Sequence, residues 1–471
     1  MGKDHHISRR KFLGQSCAAL GYTTLFSSLI NLKAMASAAV DKSPSIMFGG
    51  DYKAMVCLLL AGGNDSYNML IPRGNNEYNE YAVTRSNLAI PQNDILPSNP
   101  ITTDGRTFGL HPSMPEMQQL FESGNLGFLC NVGTLIEPSS KTDILNGVVQ
   151  TPLGLFSHAD QIQQWQTGRP HERTNIGWGG RIADLVQSMN SNDNISMNIS
   201  LQGSNVFQRG DQIIPYSISN NGSIGINGYD GQNGFDQLRT EALNSMMERN
   251  YQDIFKNTYI NTIKSSNDAS VEFQTAIDGI ADFATPLPEY NNLARQLRMV
   301  AKTIASRDTL GFSRQIFFVQ VGGWDHHDEL LIAQSSKLEQ VNTALNYFNN
   351  LMTELNTNDC VTLFSISDFA RTLTSNGNGT DHAWGGNAFF MGGAVNGQEM
   401  YGDYPTLALN SDLDLQDGVI IPTTPADLYM AELALWFGVS PSDLDLILPN
   451  LSNFYSSGSG EPPIGFMNMD S

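Results

Sequence analysis

The feature that most constrains the fold of this chain is a set of short, mostly apolar runs that break abruptly into turn residues. Runs of this length bounded by turn residues are typical of strands buried on both faces, as in a parallel sheet beneath helices. The runs are Ala54–Leu60, Leu126–Val132, Ile316–Val321 and Val361–Ile366.

Amphipathic helical patterns lie between these runs. Leu293, Leu297, Val300 and Ile304 share one face before the third run, and residues 338–352 repeat such a face before the fourth. Strands that alternate with helices indicate crossover connections. The sequence therefore predicts an α/β fold: a doubly wound, mostly parallel sheet with helices on both faces. In such folds ligands bind at the carboxyl ends of the strands.

Three of the runs lead directly to an acid. Asp65, preceded by Asn64, follows the first run, Asp325 follows the third and Asp368 the fourth. One aspartate at a strand end is ordinarily a helix cap or a turn residue. Three of them, two after a Gly-Gly pair, predict a functional site at one edge of the sheet.

Histidines are clustered with these acids. His326 and His327 follow Asp325 directly, and His382 follows Asp381. Carboxylates gathered at one place repel each other, and a divalent cation removes that repulsion, with imidazole completing the shell of zinc, manganese or iron. The pattern predicts a metal site, although any single histidine could instead be a surface or hydrogen-bonded side chain.

The N-terminus has the layout of a cleavable export signal. Arg9-Arg10 precede Lys11-Phe12-Leu13, a weakly apolar stretch follows over residues 15–32, and small residues close it over 34–39. This resembles a twin-arginine signal, which is read by the twin-arginine export machinery and is not an anchor. We expect a signal over 1–38 and a periplasmic or extracellular protein; a basic tail beside a short helix is the alternative.

The remainder, 39–471, contains no linker or internal repeat and is predicted to be one α/β domain. A stretch rich in Asn, Ser and Gly around 188–233 is predicted to be an insertion of loops and short strands. No further run is long and apolar enough to be expected as a transmembrane anchor. The chain carries 47 acidic against 26 basic residues, a net charge of −21, which argues against nucleic acid or an anionic membrane as a partner.

Several motifs together resemble a known family. They are Gly62–Asn68, Leu110–Pro112, Phe156–His158, Trp165–Gly168, Gly322–His327, Ser367–Thr372, Gly379–Gly386, Ile421–Thr424, Leu435–Val439 and Leu448–Leu451. In this order they resemble an uncharacterised exported bacterial family, usually with a twin-arginine signal, of the alkaline-phosphatase-like and sulfatase-like superfamily.

That resemblance implies an alkaline-phosphatase-like core and one or two divalent ions, of zinc, manganese, calcium or magnesium, at the strand ends. The implied ligands are Asp65, Asp325, His327, Asp368 and His382. Asp381 would ligate as well or orient His382. Phe369 departs from the superfamily pattern, in which many members have a metal-binding histidine at this place, so one ion would be weakly held or absent.

The superfamily uses a hydroxyl or modified cysteine nucleophile at a helix N-terminus. Ser157 matches that place, and it could also be a plain helix cap; Thr134 is the next candidate. Arg371 would pair with a tetrahedral oxyanion or with Asp368. The remaining candidates for the site or its scaffold are Asn64, His111, His158 and His326.

The implied function is an exported, metal-dependent hydrolase of phosphate or sulfate esters with a metal-activated hydroxyl nucleophile. Its substrate would be a small-molecule or glycan ester. The Cys/Ser-x-Pro-x-Arg pattern that sulfatases need for formylglycine does not occur, which argues against a conventional type I sulfatase. The alternative is a non-catalytic exported binding protein that retains the fold.

Overall fold

A computed structural model describes residues 52–102, 104–229, 231–249 and 251–469 of the chain. The predicted export signal over 1–38 lies outside these residues. The strands are β1 (Lys53–Ala61), β2 (Leu70–Pro72), β3 (Leu96–Ser98), β4 (Phe108–Leu110), β5 (Leu126–Gly133), β6 (Asn198–Ser200), β7 (Tyr216–Ser219), β8 (Gly222–Ser223), β9 (Arg314–Gly322), β10 (Val361–Ser367), β11 (Gly386–Met391), β12 (Met400–Tyr401) and β13 (Thr424–Pro425).

Helices connect most of these strands. They are α1 (Asn75–Arg85), α2 (Pro115–Glu122), α3 (Lys141–Leu145), α4 (His158–Thr167), α5 (Trp178–Val186), α6 (Gly234–Met247), α7 (Ile254–Asp278), α8 (Asn292–Ala305), α9 (Arg307–Leu310), α10 (Leu330–Glu354), α11 (Ala426–Phe437) and α12 (Leu444–Ile447). Within the described ranges, none of these helices is long and apolar enough to cross a membrane.

The main sheet has the strand order β12-β5-β11-β10-β1-β9-β6-β7-β8, with β13 also paired to β5. The central strand β1 pairs in parallel with β9 and β10, and β6 pairs in parallel with β9 and β7. Strand β11 runs antiparallel between β10 and β5, so β5 again runs in the direction of β1. The mixed, mostly parallel sheet predicted from the sequence is confirmed.

The four apolar runs of the sequence are the interior of this sheet. Every residue of Ala54–Leu60 in β1 is at most 2% exposed. Because successive side chains of a strand point to opposite faces, the sheet is covered on both faces around β1. The predicted apolar face of α8, with Leu293, Leu297 and Val300, is fully buried as well.

The pairing register places the carboxyl ends of the three strands that precede the acids opposite one another. Leu60 of β1 lies opposite Ser367 of β10, and Ala61 lies opposite Gly322 of β9. The segments that follow β1, β9 and β10 therefore leave the sheet at the same edge, where parallel strands of α/β proteins place their ligands.

The polar segment around 188–233 contributes the short strands β6, β7 and β8 to one side of the same sheet. Strands β6 and β7 pair in parallel, and β8 turns back antiparallel to β7. The helices α6 and α7 follow directly and pack against each other.

Candidate metal centre

Two glycines allow the three strand ends to approach each other. Gly62 and Gly63, after β1, adopt positive φ angles of 124° and 88°. A Cβ atom at Gly62 would lie 2.6 Å from the backbone nitrogen of Asp325, and one at Gly63 would lie 2.5 Å from the ring of Phe369. Because only glycine fits such close approaches at positive φ, the Gly-Gly pair places the segment after β1 directly against those after β9 and β10.

The Asp325 carboxylate lies at the centre of the resulting cluster. Its Oδ1 atom accepts a hydrogen bond of 2.6 Å from Arg371 and lies 3.0 Å from His327 Nε2 and 3.2 Å from His382 Nε2. Its Oδ2 atom lies 3.4 Å from His158 Nε2. Three imidazoles from three separate segments thus point their Nε2 atoms at one carboxylate.

A backbone carbonyl and a carboxylate orient two of these imidazoles through Nδ1. His382 Nδ1 lies 2.7 Å from the carbonyl oxygen of Phe156, so it must donate and leave a lone pair on Nε2. His158 Nδ1 lies 2.8 Å from Asp368 Oδ2, and the other oxygen of Asp368 accepts from the Gly62 amide at 3.0 Å. Such partners hold a metal-binding histidine in the right tautomer and raise its basicity.

The third imidazole, His327, is oriented by Asp381, with 3.1 Å between Nδ1 and Oδ1. The Asn376 amide contacts the same oxygen at 3.3 Å. Asp381 was expected to ligate the metal or to orient His382; the structure instead places it against His327, because the Phe156 carbonyl already occupies Nδ1 of His382. In the same way Asp368, expected among the ligands, contacts His158 and orients it.

The donor set fits a divalent cation. Ligand atoms of His158, Asp325 and His382 all lie within 4.8 Å of one another. His158 Nε2 is buried and makes no hydrogen bond in the described residues; it lies 3.4 Å from Asp325 Oδ2, so a proton or a cation is needed to satisfy both atoms. Two imidazole nitrogens with a carboxylate oxygen are ligands that zinc in particular accepts, with a position left open for water or substrate.

The electrostatic environment favours the deprotonated forms of Asp325 and His382. Burial raises the pKa of Asp325, but the hydrogen bond and charge of Arg371 outweigh it and hold that pKa below its ordinary value. Burial lowers the pKa of His382 despite the opposing bond to the Phe156 carbonyl. Metal ligands must be unprotonated, so both directions favour a cation.

Arg371 is fully buried and belongs to the support of the centre. Besides its bond to Asp325, its guanidinium donates to the hydroxyl of Thr380 at 3.2 Å and to the carbonyl of the same residue. The alternative in which Arg371 bridges to Asp368 is therefore corrected: its carboxylate partner is Asp325.

Asp65 is not brought into the cluster. Its carboxylate and the guanidinium of Arg85 form an ion pair in which both side chains are fully buried, and Arg85 also donates to Asn68 and to the backbone carbonyls of Thr372 and Leu373. A guanidinium thus supplies the positive charge that we expected from a metal ion. Arg85 was missed by the sequence analysis because nothing in the α1 sequence marks it as a partner of a residue twenty positions earlier.

Ser157 lies at the N-terminus of α4, next to His158. It follows Phe156, whose φ of 71° turns the backbone so that the Phe156 carbonyl meets His382. The Ser157 side chain makes no capping hydrogen bond; nearby, Arg173 and to a lesser degree Ser157 lower the pKa of the Asp160 carboxylate. Ser157 is half-buried.

The remaining candidates lie in the scaffold. The Thr134 hydroxyl donates to Gln164 at 2.9 Å, and His111 Nδ1 accepts from the Ser113 amide. Asn64 and His326 are buried, and the side-chain amide oxygen of Asn64 and both ring nitrogens of His326 have no hydrogen-bond partner in the described residues. His158, one of the remaining candidates from the sequence, belongs to the group of three residues whose atoms could hold a metal ion; the motif Phe156–His158 was the sequence signal for it.

The fold and the cluster define an α/β protein with a histidine–carboxylate centre at the carboxyl edge of a mostly parallel sheet. A family profile matches residues 52–429, and the chain belongs to that family, "Protein of unknown function (DUF1501)". No curated protein matches the chain.

Solved structures with partial likeness come from bacterial enzymes. The PsFucS1 sulfatase from Pseudoalteromonas sp. is 9% identical, with a TM-score of 0.35 and coverage of 88% of this chain and 71% of the other. The phosphoethanolamine transferase EptA from Neisseria meningitidis is 8% identical, with a TM-score of 0.34 and coverage of 92% and 70%. The lipoteichoic acid synthase LtaP from Listeria monocytogenes is 8% identical, with a TM-score of 0.28 and coverage of 78% and 70%. Likeness at this level carries no argument about the chemistry of this chain.

Proposed function

We propose that this protein is a metal-dependent hydrolase of phosphate or sulfate esters that works outside the cytoplasm after twin-arginine export. The observation that carries the proposal is the convergence of His158, Asp325 and His382, with ligand atoms within 4.8 Å of one another. A divalent cation held there would supply Lewis-acid polarisation of an ester oxygen. The motif resemblance to alkaline-phosphatase-like enzymes supports the same reaction class, on a small-molecule or glycan ester.

The nucleophile in this proposal is the Ser157 hydroxyl. Its oxygen forms a bond to the phosphorus or sulfur atom while the bond to the alcohol oxygen of the ester breaks and the alcohol leaves. The hydroxyl proton is passed through water to the departing alcohol oxygen; a second water then attacks phosphorus or sulfur, releases phosphate or sulfate and returns a proton to the serine oxygen. The N-terminus of α4 favours the anionic group being transferred.

Arg371 supports this chemistry by its position. Its guanidinium holds Asp325 through a 2.6 Å hydrogen bond, which fixes the carboxylate around which the imidazoles converge. Because Arg371 is fully buried and its charge is paired with Asp325, its role in this proposal is to position that carboxylate.

The test is metal analysis followed by an activity panel on protein exported by its native route. We expect bound metal in the wild type, and loss of metal and of esterase activity in His158→Ala and His382→Ala. The matched control is His171→Ala, an exposed histidine, which should keep both. The panel combines aryl phosphate, aryl sulfate and sulfated glycan substrates with zinc, manganese, calcium and magnesium. Unchanged metal content in both ligand variants would refute the centre.

A second candidate function is a non-catalytic binding protein that uses the same centre for an anionic ligand. The buried Asp65–Arg85 pair favours it, because a carboxylate expected to hold a cation is already neutralised. Turnover separates the two: Ser157→Ala should keep its metal and lose activity in a hydrolase. A wild type that binds metal but hydrolyses no ester of the panel would support the binding protein instead.

A further inference from the structure

Helix α6 has a broad apolar surface that is covered only in part. Leu243 and Met247 are half-buried, and α6 packs against α7. About a third of a turn around the helix, Phe235, Leu238, Ala242 and Met246 follow one another at intervals of three and four residues; we call these four the outer row. Phe235 is 69% and Leu238 66% exposed, and none of the 14 residues of α6 is buried.

This arrangement departs from that of an ordinary surface helix. A helix on a protein surface turns its apolar stripe to the core and polar side chains to water, whereas in α6 the part of the apolar surface formed by the outer row faces water. The spacing of the outer row also matches the three-and-four repeat by which helices pack along a seam. The pattern indicates that a second surface covers α6.

The start of α7, which follows α6 in the chain and packs against it, has further exposed apolar side chains. Ile254, Phe255 and Tyr259 are 74%, 82% and 66% exposed. Phe235, Phe255 and Tyr259 alone expose on the order of 400 Å², since an aromatic side chain has roughly 150–250 Å² to bury. That is about half of the ~800 Å² that each partner buries in a stable interface, before the aliphatic residues are counted.

The charge of α6 and the start of α7 indicates which partner covers them. Residues 234–266 contain four acidic and four basic residues, whereas the whole chain has a net charge of −21. Copies of so acidic a protein repel each other, and the repulsion is smallest where the surface is neutral and apolar. An anionic membrane instead favours a helix with a basic polar face, which this region lacks.

We propose that α6 and the start of α7 form the interface of a homodimer. The two α6 helices pack antiparallel across a two-fold axis through their outer rows, because a two-fold contact joins the same patch on both protomers. With both α7 helices the dimer contact is a four-helix arrangement. This inference does not depend on the proposed enzymatic function.

The experiment is light scattering on size-exclusion fractions of the purified wild type over a range of concentrations. We expect a dimer, and a monomer for the double variant Phe235→Asp/Leu238→Asp. The control is Ile332→Asp on α10, an equally exposed apolar position at 78% exposure, which should stay dimeric. A wild type that is monomeric throughout, or a double variant that stays dimeric, would overturn the proposal.

A second variant covers the case in which the double variant does not fold. Ala242→Cys lies in the middle of the outer row, so mild oxidation should give a disulfide-linked dimer, whereas Ile332→Cys should not. Cross-linking to the same extent in both variants would overturn the proposal. So would a monomer that binds vesicles of phosphatidylcholine and loses that binding in Phe255→Asp, since the occupant would then be a membrane.

Discussion

The Nε2 atoms of His327 and His382 lie 3.0 Å apart, although both rings already use Nδ1 for a hydrogen bond. His382 must donate to the Phe156 carbonyl at 2.7 Å, and His327 faces the Asp381 carboxylate at 3.1 Å. With neutral rings the two Nε2 lone pairs therefore face each other. A cation bound by the two nitrogens removes the repulsion between their lone pairs. The first prediction rests on this stabilisation.

Chelation should destabilise the wild type. A ligand that binds only the folded state stabilises it by about 2.7 kcal/mol at a hundred times its dissociation constant. We expect EDTA to lower the melting temperature of the wild type, zinc to restore it, and neither to change that of His382→Ala. Calorimetry measures this directly, with His171→Ala as the control that should behave as the wild type. Equal melting temperatures with and without EDTA in the wild type would contradict the prediction.

The carboxylates behind the histidines should tune metal affinity. Asp368→Asn should weaken binding by roughly 10–100-fold, the range for partners that orient a histidine ligand, because it weakens the hold on His158 Nδ1. Asp381→Asn should have a smaller effect, since its side chain is 62% exposed and orients His327. Competition titration with a metal-sensitive dye measures both constants. If Asp381→Asn weakened metal binding more than Asp368→Asn, His327 would be a more important ligand than His158.

The Asp65–Arg85 pair should be structural. Arg85→Met leaves a buried carboxylate without a partner and should cost about 3–5 kcal/mol of unfolding free energy. The double variant Arg85→Met/Asp65→Leu should recover part of that loss, because both charges are then removed. Urea unfolding measures the two differences. Asp65→Asn should keep its metal, and loss of metal in that variant would show Asp65 to be a ligand.

His111 should make stability depend on pH. Burial lowers the pKa of His111 from 6.5 to about 4. Between these two pH values His111 is therefore mostly protonated in the unfolded chain and mostly neutral in the folded chain. The stabilisation is complete above pH 6.5 and is lost as pH falls towards 4, by up to roughly 3 kcal/mol. Unfolding free energies of His111→Gln should therefore fall less over this window than those of the wild type, with His171→Gln as the control. Parallel pH profiles would contradict this.

Export should depend on Arg9 and Arg10. Replacing both with lysine should strand unprocessed precursor in the cytoplasm, because the twin-arginine pair is a receptor-read address. Fractionation and immunoblotting give the answer, with Lys11→Arg as the control that leaves the pair intact. Normal export of the double variant would indicate another route.

The strands and helices around the site were predictable because local patterning determines them. The runs at Ala54 and Ile316 became β1 and β9, and the acids after them reached one edge because parallel strands end together. The partner of each acid was not predictable. One expectation from the sequence was that Arg371 pairs with Asp368, whereas its guanidinium contacts Asp325.

The sequence by itself determined an α/β sheet and which polar residues lie at its carboxyl edge, since both follow from the order and period of apolar residues along the chain. Only the tertiary structure decided the chemistry of that edge. His158 meets Asp368 across 210 residues, and Arg85 takes the place of a cation at Asp65. Such pairings depend on where backbones cross within a few ångströms, and no local pattern of the sequence records those distances.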